Sequence, residues 1–318
     1  MNIKTLIYLI IFTVFTPAHA YKHNLAVCAM FQNEARFLKE WLEFNILIGV
    51  EHFYLYNNYS TDNYLEILQP YIDAGIVDCI DWPYSHEGFD ENGILATANQ
   101  ILAEQHCANS IPGQICGKAQ VLAYNHCLDN VRDKVKWLMF IDIDEFLFPV
   151  QCDNLQEFLK NYEEFGAVCA TFIMFGTSKV EHIPDNKLLI ESLTMRELIL
   201  ENILNHIKSI VRPDRIKKFH IHHTTEFCDN YFQVTPDKIK FEGFRLPTSK
   251  TTDKLRINHY WTRDRRFLYD HKIARQYFFN KNYTKTWVLQ RAASMNIQKD
   301  LTIQKYTDRL KEKVFKTK

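Results

Sequence analysis

Asp142, Asp144 and Glu145 crowd together just after the apolar run Trp137-Leu138-Met139-Phe140-Ile141. A continuous apolar run of that kind reads as a strand covered on both faces. The acids therefore stand where the chain leaves a buried strand, at the sheet edge where α/β proteins hold ligands. In an extended chain residues i and i+2 face the same side, which sends Asp142 and Asp144 to one spot. Two carboxylates so placed repel each other unless a cation lies beside them. Oxygen ligands of this type suit Mg²⁺ or Mn²⁺, with a diphosphate completing the shell. The plain alternative is an acidic turn that is merely solvated.

The elements that must position these acids are legible as alternation. Leu25 to Phe31 reads as a buried strand, followed by a helix capped at Asn33 with Phe37, Leu38, Trp41, Leu42 and Ile48 at helical spacing until Gly49. His52 to Tyr56 is a second strand, the helix from Thr61 ends at Gly75, and Ile76 to Ile80 is a third strand. That is a βαβαβ opening, and it predicts an α/β fold. Lys118 to Val131 reads as a helix before the Trp137 strand, and Ala167 to Phe175 as another covered strand. Shorter strands are expected at Ser209 to Val211, Phe219 to His222 and Leu255 to Tyr260. Beyond about Thr284 the chain is rich in Lys and Gln and reads as a helical arm.

Composition narrows the class. The 318 residues carry 38 basic and 38 acidic side chains, 47% hydrophobic residues, 9 Gly and 9 Pro. Disorder and collagen-like repetition need other compositions, and a chain without net charge has no general field for nucleic acid. At the N-terminus Lys4, the apolar stretch Leu6 to Phe15 and Ala18-His19-Ala20 form a signal peptide, residues 1–20. The stretch is shorter than the roughly 20 residues that span a bilayer, so the expectation is a cleaved signal and no stable membrane span. The protein then resides in a secretory lumen, or is secreted or held in the envelope. There the 8 Cys are able to pair, with Cys107 and Cys116 the first pair to test. Asn58-Tyr59-Ser60 and Asn282-Tyr283-Thr284 are N-glycosylation sequons.

Several ordered blocks then point one way. They are Phe31 to Trp41, Gly49 to Asn58 with Ser60 and Asp62, Gln120 with Ala123-Tyr124-Asn125, and Lys136 to Pro149. Phe175 to Ser178, Lys208 to Pro213 and Ile257 to Tyr260 complete the set. Together they resemble glycosyltransferase family 92, over about residues 25 to 280. The resemblance implies a GT-A type fold, a Rossmann-like mixed sheet flanked by helices. The expected division is a glycosyltransferase domain over 21–283 and a C-terminal helical tail over 284–318. It also implies a nucleotide sugar, a UDP-sugar foremost, a divalent metal and inversion at the anomeric carbon. The reaction expected is hexosyl transfer, galactose included, to a glycan or glycoconjugate.

The resemblance carries Asp142 and Asp144 over as metal and ribose-diphosphate residues, with Asp144 on the metal directly, and His259 as a late ligand. Asn33, Glu34, Arg36, Asn58, Asp62, Gln120 and Asn125 fall where nucleotide contacts are expected, although Asn33 also serves as a helix cap. Arg212 is expected on the diphosphate; Arg263 is read as a surface residue or a second phosphate contact. Tyr56-Asn57-Asn58 departs from the Tyr-Asp-Asn of many relatives, so an amide stands where they carry a carboxylate. An inverting enzyme needs a base for the acceptor hydroxyl, and Glu226, Asp229, Glu181 and Glu191 are the acids available in the second half. Trp82 and Trp261 would suit sugar stacking, though core packing accounts for most aromatics. His220 and His222 on one strand face, with His223, offer a zinc alternative. Two other readings stay open: a carbohydrate-binding protein without turnover, and a haloacid dehalogenase-like phosphatase, whose strand also ends in Asp-x-Asp.

Overall fold

The computed structural model describes residues 20–84, 118–200, 204–247, 251, 253–275 and 282–315. The chain opens with β1 (His23–Phe31), α1 (Ala35–Leu47), β2 (His52–Asn57), α2 (Tyr64–Asp73) and β3 (Val77–Asp81). The three strands are parallel, with Ala26 opposite His52 and Phe53 opposite Val77. Both helices stop at a glycine that takes a left-handed conformation, Gly49 at φ 106° and Gly75 at φ 68°, which a residue with a Cβ adopts at a cost. α3 (Lys118–Val131) crosses to β4 (Val135–Phe140), which lies parallel to β1 on its other side.

Both faces of these strands are covered. On β1, Leu25, Val27 and Ala29 pack towards Trp41 of α1, while Ala26 and Cys28 pack towards Leu122 and Leu128 of α3. The near-continuous apolar sequence follows from that two-sided burial.

The second half follows as β5 (Glu145–Pro149), α4 (Leu155–Leu159), β6 (Ala167–Met174), α5 (Leu189–Ser192) and β7 (Met195–Arg196). Next come β8 (Leu204–Val211), β9 (Ile216–Phe219), β10 (Thr224–Phe227), β11 (Gln233–Val234), β12 (Arg245–Pro247) and β13 (Leu255–His259). The main sheet runs β3-β2-β1-β4-β8-β6-β13-β5, with β11 beside β6 and β12 beside β8. β8 is antiparallel to β4 and β6, and β5 is antiparallel to β13. The C-terminal ends of β1, β4, β6 and β13 thus share one edge with the start of β5. This mixed α/β sheet flanked by helices is the architecture expected from the sequence.

Helix α6 (Arg265–Phe267) continues into a π-helical turn at Leu268–Lys272, and α7 (Lys285–Ser294), β14 (Gln298–Lys299) and α8 (Thr307–Val314) follow. Rather than standing off as an arm, the tail buries Met295, Ile303, Tyr306 and Leu310 in the main core. Asp300 pins it, 2.7 Å from Arg196 and 2.6 Å from Arg256. Residues 1–19 of the expected signal segment 1–20, and Cys107 and Cys116, lie outside the described residues. The other six cysteines are free thiols. Among the described residues no helix is long and apolar enough to cross a membrane.

Candidate functional site

β4 ends at Phe140, and the chain turns so that the Glu145 N–H donates to the Asp142 carbonyl at 3.1 Å before β5 begins. The expectation of an extended Asp142-Ile143-Asp144 is corrected by this turn, which gives the two aspartates different surroundings. Asp142 accepts from Gln120 Nε2 at 2.7 Å and Tyr124 Oη at 3.1 Å on one oxygen, and from Lys208 Nζ at 3.0 Å on the other. Lys208 is wholly buried on β8 and also lies 3.5 Å from Glu145. Burial works to raise the Asp142 pKa, but the Lys208 ammonium prevails and holds the carboxyl below its usual value. Burial likewise opposes the charge on Lys208, yet the two carboxylates lift its pKa above the usual lysine value.

Asp144 instead faces β13. His259, paired with Glu145 across β13 and β5, stands 3.5 Å from Asp144 through Nε2 and 4.0 Å from Glu145 through Nδ1. Donor atoms of these three residues all lie within 4.8 Å of one another, and among the described residues they are the one such trio of His, Cys or acidic groups. Glu145 Oε1 and His259 Nδ1 are buried without a hydrogen-bond partner. Orphaned buried atoms call for an explanation, and two carboxylates with a neutral imidazole are a donor set that fits Mn²⁺ or Mg²⁺. Burial pushes the His259 imidazole down to about 4, leaving it in the neutral, ligating form.

Cations border this trio. Arg263, at φ 53° and 1% exposed, bridges Asp144 at 3.2 Å and Glu34 at 2.7 Å while lying over the Phe37 ring. The surface reading of Arg263 is therefore corrected. Lys272, on the π-helical turn, lies 3.7 Å from Asp144 and over Trp261; burial, with Arg275 and Arg263 nearby, pushes its ammonium down to about 7, and such turns recur at functional sites.

Beside the acids a cleft of roughly 130 Å³ is lined by Gln32, Glu34, Asn58, Gln120, Asp142 and Arg275, with Met30, Phe31 and Ile143. Asn58 borders it with both amide hydrogens engaged, on the carbonyls of Trp82 and Tyr84 at 2.8 Å each. Asn33, at φ 55°, clamps the β2–α2 loop by accepting from the Thr61 N–H at 2.7 Å, and Asp62 returns a cap to α1 by accepting from the Ala35 N–H at 2.8 Å. The cap expected of Asn33 thus comes from Asp62.

Other expectations are corrected by placement. Asn125 is buried and spends its side chain on Val121 and Phe219, so it has no group left for a nucleotide. Arg36 turns away to His182, Asp264 and the Ile183 carbonyl, beside a separate groove of roughly 370 Å³. Arg212 lies past the C-terminal end of antiparallel β8, at the opposite sheet edge, against Tyr21, Asp214 and the Trp137 ring. Glu226 pairs with Lys217 and Lys218 on the β9–β10 hairpin, and Asp229 occupies the turn beyond it at φ 46°. Glu181 pairs with Arg265, and Glu191 with Lys187 and Lys311; none of the four acids lines the cleft. Trp82 is a core residue bonded to the Ala119 carbonyl. His220, His222 and His223 sit in a turn rather than a strand, and they form no donor trio of their own. Sequence reasoning counted Glu145 among the clustered acids but gave it no role, and it gave none to Tyr124, Lys208 and Lys272. A lysine between Ile207 and Ile210 in β8 was the available signal for Lys208.

The chain belongs to glycosyltransferase family 92, whose profile matches residues 23–314. It is similar to a family 92 protein of Ricinus communis, 28% identical over 68% of this chain and 34% of that protein. It is also similar to a β-1,4-galactosyltransferase of Caenorhabditis elegans, 25% identical over 70% of this chain and 47% of that protein. The chain therefore spans between a third and a half of the length of these relatives. Among solved structures, Staphylococcus aureus TarS in complex with UDP aligns over 60% of this chain and 47% of that one, with 13% identity and a TM-score of 0.33. Family membership sets aside the phosphatase reading.

Proposed function

We propose that this protein is a divalent-metal-dependent glycosyltransferase that moves a hexosyl group from a UDP-sugar to a hydroxyl of a glycan or glycoconjugate, with inversion. The observation that carries the reading is the Asp142–Glu145 turn. It sets one carboxylate into the cleft, fixed by Gln120, Tyr124 and Lys208, and a second carboxylate into the trio with Glu145 and His259. In this reading the cleft between Gln32, Asn58 and Gln120 takes the nucleoside, and Asp142 meets its ribose. Arg263 and Arg275 set positive charge where the diphosphate would lie, and fixed charge aimed at a developing anion is an effective catalytic device. Asp144, Glu145 and His259 would hold Mn²⁺ or Mg²⁺, whose chemistry is Lewis-acid stabilisation of the leaving diphosphate. The apolar segment Leu6 to Phe15 supports work in a secretory lumen.

The nematode relative makes UDP-galactose the first donor to try. Transfer or hydrolysis is expected with Mn²⁺ or Mg²⁺ and is expected to vanish with chelator. Asp144→Asn and His259→Ala should each reduce kcat/KM by about 100-fold or more, about 2.7 kcal/mol of transition-state stabilisation, in protein that circular dichroism shows to be folded. Full activity in chelator would overturn the metal assignment, and absence of UDP binding would overturn the reading itself.

A further inference from the structure

A second constellation adjoins the site. Phe172 of β6 lies against His259 with ring centroids 4.8 Å apart, and His222 lies 6.0 Å from the same ring. His222 in turn meets His206 at 4.6 Å, and Phe244 touches both His206 and His223 at 5.4 and 5.5 Å. The rings come from β8, from the turn between β9 and β10, and from the loop before β12. These stretches are tied together by the Ser209 hydroxyl on the His222 carbonyl at 3.3 Å and by the pairing of Arg245 with His206. None of this is used by the nucleotide cleft.

The chemistry of the rings can be worked out. Arg245 Nη2 lies 3.1 Å from His206 Nε2, and a guanidinium only donates. His206 therefore accepts at Nε2, and in its neutral form carries its proton on Nδ1. That atom is buried and lacks a partner, as are Nδ1 of His222 and of His223. Burial, with Arg245 and Lys208 nearby, holds the His206 pKa down at about 4, and burial keeps that of His222 well below the usual value. The result is a partly exposed wall of neutral rings. Flat apolar faces with polar edges match a pyranose, which offers C–H faces and hydroxyl rims.

We propose that the wall of His206, His222 and His223, with Phe172 and Phe244, is the acceptor subsite and binds a pyranose ring next to the donor. This rests on the transferase reading above. The test uses the full chain with Mn²⁺, UDP-galactose and a panel of p-nitrophenyl glycosides of neutral and acidic pyranoses. His206→Ala and His222→Ala should each raise the acceptor KM about tenfold or more, roughly 1.4 kcal/mol, while UDP affinity by calorimetry stays within about twofold. His206→Gln and His222→Gln, checked by circular dichroism, guard against loss of the fold and should fall between wild type and alanine. Unchanged acceptor KM in folded variants overturns the subsite, and so does a parallel loss of UDP affinity, which would place the wall on the donor side. A wild type that binds UDP but neither binds nor glycosylates any glycoside of the panel overturns it too. A wild type that binds no UDP instead brings down the transferase reading.

Discussion

Lys208 is a cation without exposed surface, wedged between Asp142 at 3.0 Å and Glu145 at 3.5 Å. Removing one member of such a group leaves buried charge uncompensated. Lys208→Met is therefore expected to cost about 3–5 kcal/mol in urea denaturation, and to lower UDP affinity because Asp142 loses its anchor. A loss confined to stability would separate the two roles. Asp142 and Asp144 were legible in the sequence because acids rarely follow so long an apolar run. The division of labour between them was not, because a three-residue turn reverses the side to which a carboxylate points. Arg212 shows the same limit. A strand end names two possible sheet edges, and only the antiparallel direction of β8 decides that Arg212 is at the far one.

At the scale of elements, α1 organises the site side of the sheet. Its Trp41 donates to the Glu145 carbonyl at 3.0 Å, and its Glu40 accepts the Leu189 and Ile190 N–H groups at 2.7 and 3.0 Å, capping α5 from outside. Burial raises the Glu40 pKa to about 7. The folded state thus binds this proton more tightly than the unfolded chain. Stability falls as pH rises from the ordinary carboxyl value near 4.5 through about 7. Glu40→Gln should erase that slope, read as melting temperatures at about pH 5 and about pH 7.5; a slope that persists would assign it to another group. The βαβαβ half was readable because local signals, helical spacing closed by Gly49 and Gly75, coincide with its boundaries. In the second half β6 and β13 were read to within a residue, but only the last three residues of β8 were, and β12 was not, since these strands are defined by partners far away in sequence.

For the molecule as a whole, the tail is held by one acid. Asp300 is 7% exposed between Arg196 and Arg256. Burial opposes its charge, but Arg256 foremost among its partners holds its carboxyl well below the usual range. A depressed carboxyl stabilises the fold above its unfolded value, and that contribution is lost as pH falls through the folded one. Asp300→Asn is expected to cost about 3–5 kcal/mol, to soften acid unfolding, and to make the 282–315 segment the first to be cut in limited proteolysis. Cleavage elsewhere first would show that apolar contacts of Tyr306 and Leu310 suffice. The sequence announced helices here but not their docking, because a Lys-rich surface conceals a narrow apolar stripe.

The bonding of Asn58 constrains how the protein can be made. Oligosaccharide attachment would take one of the two amide hydrogens now held by Trp82 and Tyr84 and stopper the nucleotide entrance. A host that modifies this sequon would yield a mixture of blocked and open molecules, and apparent specific activity would then track glycan occupancy rather than folding yield.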